Sequence, residues 1–103
     1  MPFLRISRRA QADFDQIIEY LNDVAGPLVA GKYGRDIQAA INRIAGLPGL
    51  GSPRPALGAD VRVAIVRPYL IFYEAAPEDG SVFVLRILHG HRDITGEMME
   101  EKG

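Results

Sequence analysis

Apolar residues recur three or four apart at Ala10, Phe14, Ile17, Ile18 and Leu21, so the chain from Ser7 onward predicts an amphipathic helix with Ser7 as its N-cap. Asp13, Gln16, Glu19 and Asn22–Asp23 lie mostly off that stripe, and Gly26–Pro27 stops the helix. A second helical stripe follows at Ala30, Tyr33, Ile37, Ala40, Ile41, Ile44 and Leu47. Gly31 and Gly34 weaken its first turns by about 1 kcal/mol each relative to alanine, so that start depends on close packing against the first helix. Two helices on so short a connection predict an antiparallel αα-hairpin. Ahead of it, Phe3 to Ile6 reads as a short strand.

Beyond a Gly/Pro-rich loop over 46–60 the period changes from helical to strand-like. Residues 61–67, 69–75 and 81–89 are rich in β-branched and aromatic side chains, and Pro68 and the turn Pro77–Gly80 separate them into an antiparallel meander. Several of these strands are apolar on both faces. One face is expected under the helical hairpin, and the other needs a second cover. Thr95 caps a short final turn, and residues 97–103 are expected to fray. The order β-α-α-β-β-β predicts a single α+β domain over 1–103, an antiparallel sheet with a helical hairpin on one face.

Composition narrows the chemistry. The chain of 103 residues has no cysteine, which removes disulfides and thiolate metal sites and makes a reducing, cytoplasmic setting the expectation. No segment has the apolar length of a signal core or a membrane span. The net charge of −1 excludes a polybasic nucleic-acid binder, although ten of the twelve cations are arginine, a side chain suited to fixed contacts with carboxylates or phosphates. His89 and His91 have no partner motif for a metal, and no nucleotide-binding or nucleophile signature is present, so no cofactor is expected. Paired carboxylates such as Asp13/Asp15 read as solvated helix charges.

The densest polar cluster is Arg86-Ile-Leu-His89-Gly-His-Arg92-Asp93, at the end of the last strand. Arg62 and Arg67 on an earlier strand and Arg54 on the loop are placed to approach it. Such a set can stabilise phosphate charge with a histidine as acid or base. The alternative is structural: Asp93 pairs with an arginine, His89 caps the strand and the remaining arginines are solvated.

Several segments together resemble one family. Ala10-x-x-Asp13-x-x-x-Ile17-x-x-Tyr20 and Ala30-x-x-Tyr33…Ile37…Ile41, followed by Leu47-Pro48-Gly49-x-Gly51, are similar to the helices of ParE toxins. Arg62…Val66-Arg67-Pro68-Tyr69-Leu-Ile-Phe-Tyr73 resembles a strand segment of that family, and Val84-Leu-Arg86-Ile-Leu88-His89-Gly90-x-Arg92-Asp93 resembles its ending. The resemblance covers roughly residues 3–95 and identifies a RelE/ParE-type toxin, encoded with a small ParD-like antitoxin. It implies either poisoning of DNA gyrase, as in ParE-like members, or ribosome-dependent cleavage of messenger RNA, as in RelE-like members. No tyrosine follows Tyr73, and the sequence pI of ≈ 6.1 is poor for docking among ribosomal phosphates, so the gyrase reading leads. In the nuclease alternative Arg62, Arg86, His89 and Arg92 are the catalytic candidates. In the gyrase reading Arg86, His89, Arg92 and Asp93 are target-binding candidates. Tyr20, Val24, Leu28 and Tyr33 are the candidates for antitoxin contact. An inactive remnant of the toxin fold is a third possibility.

Overall fold

A computed structural model of the chain describes residues 2–91 and 93–100. In order the elements are β1 (Leu4–Ile6), α1 (Arg8–Ala25), α2 (Pro27–Gly46), β2 (Ser52–Pro53), a 3₁₀ turn at Pro55–Leu57, β3 (Val61–Val66), β4 (Tyr69–Ala75), β5 (Val82–His89) and a second 3₁₀ turn at Gly96–Met99. The expected helical hairpin is present. Ser7 caps α1 by accepting from the Ala10 N–H at 2.9 Å, and its hydroxyl donates in turn to the Leu85 carbonyl at 2.8 Å. A single residue, Gly26 with φ of 90°, links the helices, a backbone angle that side chains disfavour and glycine tolerates. Pro27 then opens α2 at a position where its missing N–H costs nothing. Leu47 was expected on the α2 stripe, but it is the C-terminal cap and lies exposed, because the helix ends at Gly46.

The sheet order is β1-β5-β4-β3-β2. The meander β3-β4-β5 is antiparallel as read from the sequence, but the whole sheet is mixed, because β1 lies parallel to β5 with Leu4 opposite Val82 and Ile6 opposite Val84. A parallel partner needs a crossover, and the two helices supply it. The proline-rich loop adds β2, which pairs with Arg62 and Val63 of β3.

Strand β5 carries an irregularity that periodicity did not disclose. Tyr73 of β4 stands opposite Val84 while Phe72 stands opposite Arg86, so Leu85 is an extra residue in the ladder. The slip resets the alternation. Val82 and Val84 face the helices before it and Ile87 does so after it, whereas Leu85 and Leu88 join the opposite face.

Each face of the sheet has a core. Under the helices, Ala10, Leu21, Ile37, Ile41 and Ile44 pack on Ile71, Tyr73, Val84 and Ile87. The opposite face, formed by Val61, Val63, Phe72, Leu85 and Leu88, is closed by Met99 together with Leu57, Ile94 and Met98. The second cover is therefore the chain's own. Residues 97–100, expected to fray, carry part of an ordered turn with Met99 buried, while 101–103 lie outside the described residues. The Tyr73 hydroxyl ties the loop to the sheet. It accepts from the Gly51 N–H at 2.7 Å and donates to the Pro48 carbonyl at 2.8 Å. Replacing Tyr73 by Phe strands the buried Gly51 N–H and should lower stability by about 1–3 kcal/mol in urea unfolding, without changing secondary structure.

Candidate functional site

Arg86, foremost among the sequence candidates, is buried at 7% exposure. Its Nε and Nη2 donate to the two oxygens of Asp13 at 2.7 and 2.9 Å, a two-pronged pair, and Nη1 donates to the Met98 carbonyl at 3.3 Å. The Asp13 hydrogen bond raises the guanidinium's pKa, so its charge is fixed. Asp13 also accepts from the Ile87 N–H at 3.0 Å. The reading of Asp13 as a solvated helix charge is thus corrected, since it is nearly buried and fully engaged. A signal was available in the sequence. Asp13 lies three residues after buried Ala10 and four before Ile17, beside the apolar stripe, and Arg86 is a lone cation inside an apolar strand.

His89 is half-buried at the end of β5. Its ring meets Tyr69 edge-on at 5.7 Å and stacks on His91 at 4.8 Å. Its Nδ1 accepts from the His91 N–H at 3.1 Å, so the neutral ring carries its proton on Nε2. Burial raises the pKa of the adjacent Tyr69 phenol. Between α1 and this end of the strand lies a groove of ≈ 310 Å³, lined by Gln16, Ile17, Tyr20, Tyr69, Ile87 and His89 among others.

The cationic candidates do not converge there. Arg62 turns to the Gly/Pro loop, where Nη1 donates to the carbonyls of Gly51 at 2.7 Å and Gly49 at 3.2 Å. Arg54 donates to the Pro53 carbonyl, and its own N–H bonds Val61 at the start of β3. Both sit at the end of the sheet away from His89, whereas Arg67, in the β3–β4 turn, stands at the same end. Asp93 is exposed, and Arg92 lies outside the described residues. Among the described residues, no three His, Asp or Glu side chains stand close enough to hold a metal ion. No helix among them is long and apolar enough to cross a membrane.

The candidates on the helical hairpin form a different kind of surface. Tyr20 and Val24, one turn apart on α1, are 62% and 61% exposed, and Leu28 in the first turn of α2 is 89% exposed. Tyr33 is half-buried and packs edge-on against Tyr69 at 5.9 Å. Three large apolar side chains at one corner of a small protein exceed what core formation requires.

Comparison with known proteins points the same way. Residues 4–94 match the model of the ParE toxin of the type II toxin–antitoxin system parDE. The chain is 38% identical over 85 residues to Toxin ParE1 of Caulobacter vibrioides, covering 82% of this chain and 85% of that protein. It is 30% identical to Toxin ParE1 of Mycobacterium tuberculosis, covering 86% and 90%. A solved structure of the chromosomal ParDE system from P. aeruginosa superposes with a TM-score of 0.72 at 25% identity, over 86% of this chain and 96% of that one.

Two substitutions test the buried pair. Asp13→Ala leaves the Arg86 charge without its partner and should cost about 3–5 kcal/mol in denaturant unfolding. Asp15→Ala, two residues away and exposed, should stay within about 0.5 kcal/mol of the parent.

Proposed function

Because the chain belongs to the ParE toxin family of type II toxin–antitoxin systems, we propose that it arrests growth by poisoning DNA gyrase in the cytoplasm and is neutralised by a ParD-type antitoxin. The observation that carries the antitoxin half is the exposed apolar corner of Tyr20, Val24 and Leu28. A disordered antitoxin segment that folds on that corner removes it from water, and Tyr33 lies behind it as a partly buried base.

The target half is supported by what the arginines do. A ribonuclease needs cations gathered round one phosphate. Here Arg86 is held by Asp13 in the interior, Arg62 holds two loop carbonyls, and His89 stands at the other end of the strands. That dispersal favours action through a protein surface over cleavage of RNA. His89 and Asp93, with Arg92 from the sequence, are the residues assigned to the gyrase contact.

Purified protein should inhibit gyrase supercoiling or stabilise cleaved DNA, and should leave messenger RNA intact on translating ribosomes. Codon-positioned cuts in a primer-extension assay, with gyrase unaffected, reverse the assignment to the RelE-like alternative. Inactivity in both assays marks a toxin-fold remnant.

Neutralisation is tested separately. The protein encoded beside the toxin should raise its melting temperature, equivalent to about 4 kcal/mol at a thousandfold excess over Kd. Leu28→Asp should weaken that binding at least tenfold while leaving the unfolding curve of the free toxin unchanged, since Leu28 touches little of the core.

A further inference from the structure

The sheet face turned away from the helices is closed by a short turn near the end of the chain. Met99 is buried there with Val63, Phe72 and Leu85, and Met98 packs half-buried against them. The turn is lightly held. Within it the Met98 N–H donates to the Thr95 carbonyl at 3.1 Å and the Glu100 N–H to the Glu97 carbonyl at 3.2 Å. From outside, Arg86 Nη1 reaches the Met98 carbonyl at 3.3 Å, a longer bond than either it makes to Asp13, and Arg9 Nη1 reaches the Glu100 carbonyl at 3.1 Å. A four-residue turn with so few ties opens locally at lower cost than the core it covers.

The chemistry of this cover differs from that of everything beneath it. The chain has no cysteine and three methionines, of which two stand side by side here and the third is Met1. The other members of the second core are valine, leucine, isoleucine and phenylalanine, none of which a peroxide attacks. Leucine fills nearly the same volume as methionine, but only the thioether can be oxidised. Its sulfur attacks one oxygen of hydrogen peroxide, the O–O bond breaks, and the departing hydroxide takes the remaining proton as water. The sulfur is oxidised to a sulfoxide and the peroxide is reduced. A sulfoxide is a polar acceptor, and an apolar core offers it no donor. The half-buried Met98 meets solvent first, and Met99 reaches it only when the turn opens.

We propose that Met98 and Met99 form an oxidation site through which a peroxide releases the C-terminal turn and weakens the toxin's hold on its target. Asp93, assigned above to the gyrase contact, is exposed between the end of β5 and this turn. On the strand side the Gly90 N–H is fixed to the Pro68 carbonyl at 2.8 Å, and on the other side Ile94 and Met99 pack on the second core. Releasing the turn removes the second anchor. Tyr20, Val24 and Leu28 lie in the helical layer on the opposite face and keep their places. The loss of activity rests on the gyrase reading, whereas the oxidation and the release of the turn do not.

The test treats the folded, full-length toxin with hydrogen peroxide and maps the added oxygen by mass spectrometry. Met98 should react at least tenfold faster than Met99. Met98→Gln, whose amide stands in for the sulfoxide, should speed Met99 at least tenfold, and Met98→Leu should leave it slow. Oxidised toxin should bind an apolar fluorescent dye, melt at a lower temperature and need at least tenfold more protein to inhibit gyrase, with parent affinity for the protein encoded beside it. Methionine sulfoxide reductases acting on both epimers should reverse these changes. Met98→Leu/Met99→Leu should resist peroxide in every readout, and because it retains Met1 it controls for oxidation elsewhere. Equal rates at the two methionines, or full oxidation with melting and dye binding unchanged, overturns the site. A double variant that peroxide still inactivates overturns the assignment to these two sulfurs. If the untreated toxin does not inhibit gyrase, the target reading fails, and the rate, dye and melting measurements decide the oxidation site without it.

Discussion

The carboxylate of Asp13 holds the two halves of this fold together. Strand β1 covers β5 only as far as Val84, and beyond that point the edge of β5 has no strand beside it. Ser7 takes the first exposed carbonyl, at Leu85, and Asp13 takes the next outward N–H, at Ile87. The same carboxylate receives the fork of Arg86. A helix that otherwise rests on the sheet through apolar contacts is thereby fixed in register along it. Replacing a buried ion pair by well-packed apolar residues is often neutral or stabilising, so the contribution of this pair lies in fixing α1 against β5 rather than in net stability. Arg86 extends that specification to the other face through the Met98 carbonyl.

The elements with a clean period were legible in the sequence, and those defined by long-range contacts were not. The stripe Ala10, Phe14, Ile17, Leu21 and the Ser7 cap located α1, and the β-branched runs located the meander. Nothing local says that β1 runs parallel to β5, since direction is set by the crossover rather than by composition. The extra residue at Leu85 was hidden because Val84, Leu85, Ile87 and Leu88 are all apolar, so a change of face leaves no mark in the pattern. The short turns carrying Leu57, Ile94 and Met98–Met99 have too few residues to show periodicity, yet they close the second face.

The candidate site was legible in part, for the same reason. Arg86 and His89 stood out by type and by position in a recognisable ending, and they are three residues apart on one strand. Their environments differ because an odd separation puts them on opposite faces of β5, Arg86 opposite Phe72 in the interior and His89 opposite Tyr69 at a groove. Tyr20, Val24 and Leu28 could be named as surplus apolar residues, but only the packing shows that they share one exposed corner.

The pairing of β1 with β5 bears on how the molecule is made. Strand β1 finds its partner only at residues 82–84, after both helices and the other strands. Until then α1 has neither Arg86 nor the Ile87 N–H for its carboxylate, and the second sheet face lacks Met99. Long-range contacts of this kind delay folding until the sequence that supplies them is available. A nascent chain that has not yet reached β5 therefore lacks both complete cores, and the fold closes only once residues 82–99 are in place.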